Sequence, residues 1–300
     1  MPVLPIQFCI DGTKFRELKP LSEKRYAFAP LVPGRLDTYI YHDEKTYMDQ
    51  YEASYYALTM KKAGWDCFRH YEILAAGCVP YFDNLNLCPS KTMVNFPRKL
   101  VKQAMNLPGV TRGKIDFNVF PKEEYEQLRA QLWMHARQHL TCEAMAKYVL
   151  LNVPSVETPR ILCISGSLYP DYMRCLLVTG LKRVLGHVGC VDFPKIPHLY
   201  HTFSGDDNLL YGKGLNYKRV LDDDPDLERS EAIIRDQIKT HHFDLVMYPS
   251  LHRGLPLHDL VIDHYKPEEI VYVCGEDLHD THVCKAITKT GSTLFLREMV

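Results

Sequence analysis

Apolar positions follow two rhythms along this chain. From Arg160 onward, short unbroken apolar runs ("RILCISG", "VGCVDFP", "FDLVMYPS", "EEIVYVCGED") alternate with stretches in which apolar residues return every three or four positions ("YPDYMRCLLVTGLKRVLG", closed by Gly186, then "DLERSEAIIRDQIKTHH" and "LHDLVIDHY"). Unbroken apolar strands predict a parallel sheet covered by helices on both faces. The first half is less regular. "RYAFAP" and "DTYIYHD" read as extended, "EKTYMDQYEASYYALTM" as helical and "CVPYF" as a short buried strand. "SKTMVNFPRKLVKQAM" follows, and then "PKEEYEQLRAQLWMHARQHLTCEAMAKYVLLNV", a long amphipathic helix or helix pair. At "NVPSVETPR" two prolines and small polar residues predict a linker. The chain therefore reads as α/β, with two Rossmann-like units at 1–154 and 155–300. It contains no internal repeat.

Composition narrows the partners. Three hundred residues are enough for two buried cores, and 46% hydrophobic against 24% charged residues excludes wholesale disorder. With 36 basic and 37 acidic residues there is no global basic field, so nucleic acid is not an expected partner. The ten cysteines form no C-x-x-C pair, and several sit inside apolar runs, which fits a reducing compartment. The opening "MPVLPIQFCIDGTKF" does not have the pattern of a signal peptide. No apolar run approaches the ~20 residues that span a bilayer. A soluble, cytoplasmic protein is expected.

The densest chemistry lies in "AGWDCFRHYEILAAGCVP". Gly64 frees the chain to turn, and Asp66 suits the N-cap of the helix that follows. A helix start offers unpaired N–H groups and a positive dipole end to a diphosphate. Arg69, in the first turn, can grip phosphate oxygens with a forked pair of donors. Glu72 lies three residues on, on the same face, where a carboxylate can accept from both hydroxyls of a ribose. The same spacing also suits a plain solvated ion pair.

"GWDCFRHYEILAAGCVPYF" resembles the donor-binding signature of exostosin-like glycosyltransferases, including relatives encoded by large DNA viruses of algae. That signature is a glycine-led turn, a helix with R-x-x-E, small residues and G-C-[IV]-P. The resemblance implies two Rossmann-like domains facing across a cleft (the GT-B arrangement). It also implies a nucleotide-sugar donor, UDP-linked by preference or GDP-linked, and a glycan acceptor on an oligosaccharide or glycoprotein. No metal would be obligatory, and a viral member would work in the host cytoplasm. Arg69 would meet the donor phosphates and Glu72 the ribose, with Gly64, Trp65 and Asp66 shaping the adjacent loop. The signature normally lies in the C-terminal domain. Here it lies in the first third, so either the domain order is permuted, which is the favoured expectation, or the second domain is an addition.

In parallel sheets, ligands gather at the carboxyl ends of strands. Three such ends are chemically suggestive: "ISGSLYPD", "YPSLHRG" and "CGEDLHD". They supply Asp171, His252, Glu276 and Asp277 as candidates for the base that an inverting transfer requires. The adjacent acids Glu276 and Asp277 stand out because they end a buried strand. Each candidate has a structural alternative: Asp171 as a first-turn acid, His252 as a turn support, Asp277 as a helix cap and Glu276 as an exposed acid beside it. "YGKGLNYKR" carries Tyr211 and Lys213 and reads either as a loop gripping sugar or phosphate or as a plain turn. It lacks the spacing of a P-loop.

Three rival readings remain. The acidic run Asp222 to Asp226 could hold Mg²⁺ or Mn²⁺ on a diphosphate, as in metal-dependent single-sheet transferases, or be a solvated loop. A non-catalytic protein that binds sugar nucleotides or glycans is the second. A methyltransferase is the third, but it would need a glycine-rich loop that "SGSLYP" does not supply.

Overall fold

The computed structural model describes residues 3–153, 156–224, 229–277 and 281–299. Its main body is a six-stranded, fully parallel sheet. The strands are β1 (Val3–Pro5), β7 (Ile161–Ile164), β8 (Cys190–Phe193), β9 (Leu245–Tyr248), β10 (Ile270–Cys274) and β11 (Thr293–Leu296), in the order β1-β11-β10-β9-β7-β8. A smaller parallel sheet joins β2 (Tyr26–Phe28), β3 (Ser54–Thr59) and β4 (Val79–Phe82). A short hairpin pairs β5 (Val110–Thr111) with β6 (Lys114–Ile115).

The apolar runs of the second half are buried on both sides. Ile161 and Cys163 of β7 belong to one core, with helix α6 (Tyr172–Gly189) and helix α5 (Cys142–Leu151). Leu162 and Ile164 face the other core, with α7 (Glu231–Lys239), α8 (His258–His264) and α9 (Thr281–Thr290). Alternate residues of one strand thus feed different cores, which is why these strands carry no polar face. The helical dihedrals of α6 break at Gly186, whose φ is 74°.

Two predicted elements are corrected. "EKTYMDQYEASYYALTM" is helix α1 (Glu44–Glu52) followed directly by β3, the central strand of the smaller sheet. "DTYIYHD" forms no strand. The long helical stretch is a pair, α4 (Lys122–His139) and α5, divided at Thr141, whose hydroxyl caps α5 through the Ala144 N–H. Helices α2 (Phe68–Ala75) and α3 (Arg98–Met105) complete the smaller layer.

The chain does not divide its core at the linker. β1 is an edge strand of the larger sheet, paired with β11, and α5 packs along α6. One continuous apolar core runs from Tyr51, Phe68 and Tyr71 through to Leu176 and Leu177. Gly180 lets α5 and α6 touch, because a Cβ there would overlap the carbonyl of Cys142. Gly180→Ala should therefore force the helices apart and cost about 1–3 kcal/mol in chemical denaturation, as overpacked cores do. Pro154 and Ser155, at the predicted boundary, lie outside the described residues. No described helix is long and apolar enough to cross a membrane. None of the ten cysteines forms a disulfide.

Candidate functional site

The larger sheet reverses its winding between β7 and β9, because α6 leaves β7 toward one face while α7 reaches β9 across the other. The carboxyl ends at such a reversal splay apart and leave a crevice. Asp171, His252 and Glu276 meet there, their ligand atoms all within 4.8 Å of one another. His252 Nε2 lies 3.0 Å from Asp171 Oδ2 and 2.5 Å from Glu276 Oε1. Asp171 is the N-cap of α6, its Oδ1 accepting from the Arg174 N–H, while the Ser250 hydroxyl donates to Oδ2 at 2.5 Å. Burial alone would raise the Asp171 carboxyl. The bonds from His252 and Ser250 outweigh that and hold it well below the usual carboxylate range. Buried Arg174 braces the loop by donating to the carbonyls of Ser167 and Tyr169.

Asp277 does not join this cluster, although the sequence offered it beside Glu276. Its carboxylate turns toward Arg297 and sits against Gly64, where a Cβ would come within 2.5 Å of Asp277 Oδ1 and 2.6 Å of Glu298 Oε1. The glycine-led turn after β3 thus presses on the loops that follow β10 and β11.

Asp66 is corrected as well. Cys67 holds the N-cap position of α2, with no side-chain cap bond. The Asp66 carboxylate instead accepts from the Phe8 N–H at 2.6 Å and the Tyr71 hydroxyl at 2.7 Å, and burial raises it to about 6. Trp65 is buried, with the Lys61 ammonium 5.7 Å from its ring.

Arg69 and Glu72 do not pair with each other. Arg69 donates to the Tyr39 hydroxyl at 2.9 Å and lies over that ring, while its buried Nε has no hydrogen-bond partner. Glu72 is 4% exposed and accepts from Tyr47 at 2.6 Å and from the Asn216 amide at 2.7 Å. Burial pushes its carboxyl above the usual range. The solvated ion pair is excluded, and the oxygens offered to a ribose are engaged by protein groups in this state.

Asn216 belongs to "YGKGLNYKR", which is a strap rather than a simple turn. A 3-10 turn at Tyr211–Gly214 opens it, with Lys213 and Asn216 in the left-handed region at φ 57° and 64°. Lys213 Nζ reaches His42 Nδ1 at 2.6 Å, and the Tyr211 ring meets Tyr172 edge-on at 5.2 Å. Tyr172, next to Asp171, also packs on Phe68 at 4.7 Å and Tyr217 at 5.1 Å. This one ring therefore joins the start of α2, the start of α6 and the strap.

Among the described residues of the Asp222 to Asp226 run, the acids do not converge on an open site. Asp224 is buried among Lys182, Lys195 and Arg229, Asp223 meets Thr202 and Lys195, and Asp222 is exposed near His201. Pro225 and Asp226 lie outside the described residues. Sequence reasoning missed Ser250, Asn216, Tyr172 and Arg297. Ser250 sits in the strand end "YPSLHRG", and Tyr172 adjoins a residue already chosen, so both had a positional signal. Asn216 lies in "YGKGLNYKR", a loop already singled out, but its partner is 144 positions away, and Arg297, acting on a residue 231 positions away, had no signal.

No protein-family model, curated protein or solved structure matches this chain.

Proposed function

We propose that this protein is a glycosyltransferase that moves a sugar from a nucleoside diphosphate donor, UDP-linked by preference, to a hydroxyl of a glycan acceptor. The supporting observation is the convergence around Tyr172. The turn after β3 meets the loops after β10 and β11 at Gly64, which supports a reading in which both parallel sheets contribute strand ends to one site. Phe68, at the start of the helix that carries Arg69 and Glu72, packs on Tyr172, next to Asp171 of the second cluster, and this contact supports reading the two groups as parts of one site. In this reading the helix start and the Arg69 fork hold the diphosphate without a bridging cation. Glu72 exchanges its Asn216 partner for ribose hydroxyls. The acceptor-side cluster takes the proton of the attacking hydroxyl, which displaces the nucleotide with inversion at the anomeric carbon.

The test is a panel of UDP- and GDP-sugars screened by thermal shift, since a ligand bound only by the folded state raises the apparent melting temperature. At least one UDP-sugar should stabilise the protein. Arg69→Ala should weaken it about 10- to 100-fold, the value of one or two charge-assisted bonds, with Arg69→Lys between the two. Donor binding that is unchanged in Arg69→Ala, or absent across the panel, overturns the assignment.

A further inference from the structure

We propose that Asp171, His252 and Glu276 form a binding site for a single divalent transition-metal ion of the Mn²⁺ or Zn²⁺ class. Two carboxylate oxygens converge on the same imidazole nitrogen, His252 Nε2, at 3.0 and 2.5 Å. The imidazole nitrogen and the two carboxylate oxygens all lie within 4.8 Å of one another, close enough for one cation to replace the shared proton between them. Ligand atoms held about 2.1 Å from one first-row ion lie roughly 3.0–3.4 Å apart. The Asp171–His252 separation is already there, and Glu276, 42% exposed, needs an outward shift of about 0.5–0.9 Å.

The surroundings are those of a metal ligand set. The orientation of Asp171 is fixed by the Ser250 hydroxyl and the Arg174 N–H, the outer bonds that aim a ligating carboxylate. At the same end of neighbouring β7, Ser165 is 2% exposed and its hydroxyl has no hydrogen-bond partner. One imidazole and two carboxylates suit Mn²⁺ or Zn²⁺ better than Ca²⁺, which takes six to eight oxygens, or Cu(I), which prefers sulfur. Three protein ligands, one buried and two at least partly exposed, leave positions for water or a substrate hydroxyl, the arrangement of a reactive rather than a purely structural site. The site stands whether or not the sugar transfer does, because its occupancy is read directly.

Protein dialysed against chelator should take up one equivalent of Mn²⁺ or Zn²⁺ in calorimetric titration. Bound Mn²⁺ should show ¹⁴N modulation from one imidazole in pulsed electron paramagnetic resonance. His252→Ala should lose the modulation and at least about 30-fold in affinity, and Asp171→Asn, which keeps the helix cap, should lose a similar factor. Asp277→Asn, altering the neighbouring acid that faces Arg297, should bind as the unaltered protein does. Circular dichroism on each variant separates lost binding from lost fold. Absence of stoichiometric binding by either ion overturns the proposal. So does binding that survives His252→Ala in a folded protein, or binding that Asp277→Asn abolishes.

Discussion

Arg297→Ala should cost about 3–5 kcal/mol in urea denaturation, the penalty for stripping one partner from a buried ionic cluster. Arg297 is 2% exposed and is the common donor to four groups. It bonds the Asp66 carbonyl, the Asp277 carboxylate, Glu298 Oε1 at 3.0 Å and the Gly275 carbonyl at 2.7 Å, with its guanidinium 4.5 Å from the centre of the Phe8 ring. Removing it leaves the buried carboxylates of Asp66 and Glu298 near one another without their cation, in surroundings that water does not reach. Arg297→Met fills the space but leaves the same carboxylates uncompensated, so it should recover little. Arg297→Lys keeps the charge but loses the fork, and should fall between. The turn after β3 meets β11 through this residue, so its loss should also loosen the contact at Gly64. A loss below about 1 kcal/mol for Arg297→Ala would show that the carboxylates find other partners.

What the sequence disclosed follows from how far each signal travels along the chain. The larger sheet is readable because its strands are buried on both faces, and that condition writes itself into consecutive residues, as in Leu245–Tyr248 and Ile270–Cys274. β3 is not, because Tyr47 and Tyr51 of α1 lead without glycine or proline into Tyr55 and Tyr56, and the helical rhythm carries on through the start of a strand. β1 and β11 are short and pair across the whole chain, Val3 with Leu294, so nothing local marks either. The cluster of Asp171, His252 and Glu276 was within reach because a parallel sheet brings the carboxyl ends of its strands to one edge. The choice between Glu276 and Asp277 was not. The two diverge in an irregular loop, where Arg297, twenty residues on, draws one of them away. Asp66 was misassigned for the same reason, since its partners Phe8 and Arg297 come from opposite ends of the sequence.

Buried Asp66 and His70 pull the acid stability of the protein in opposite directions, and substituting each should expose the other. His70 is fully buried. Trp65 O can only accept, so His70 Nε2 carries the proton at 2.9 Å, and Nδ1 accepts from the Thr59 hydroxyl at 2.8 Å. Burial lowers its pKa from 6.5 to about 3. Between those values the unfolded chain binds a proton that the folded one does not, so stability held above pH 6.5 is lost as the pH falls toward 3. His198, lowered by burial to about 4, adds the same sign. Asp66, raised by burial from 3.8 to about 6, has the reverse effect: its contribution is full below pH 3.8 and is lost as the pH rises through 6. Glu72, also raised by burial, acts with Asp66. Each proton is worth up to about 1.4 kcal/mol per pH unit. Asp66→Asn can turn its oxygen to the Phe8 N–H and its amide to the Tyr71 oxygen, so the fold survives while the titration goes. Between pH 6 and 4.5 this variant should lose stability toward acid more steeply than the parent, by about that slope, and His70→Gln should lose it less steeply by a similar amount. The measurement is urea denaturation at half-unit pH steps. Parallel curves for all three proteins would mean that neither group is titrating as its burial requires.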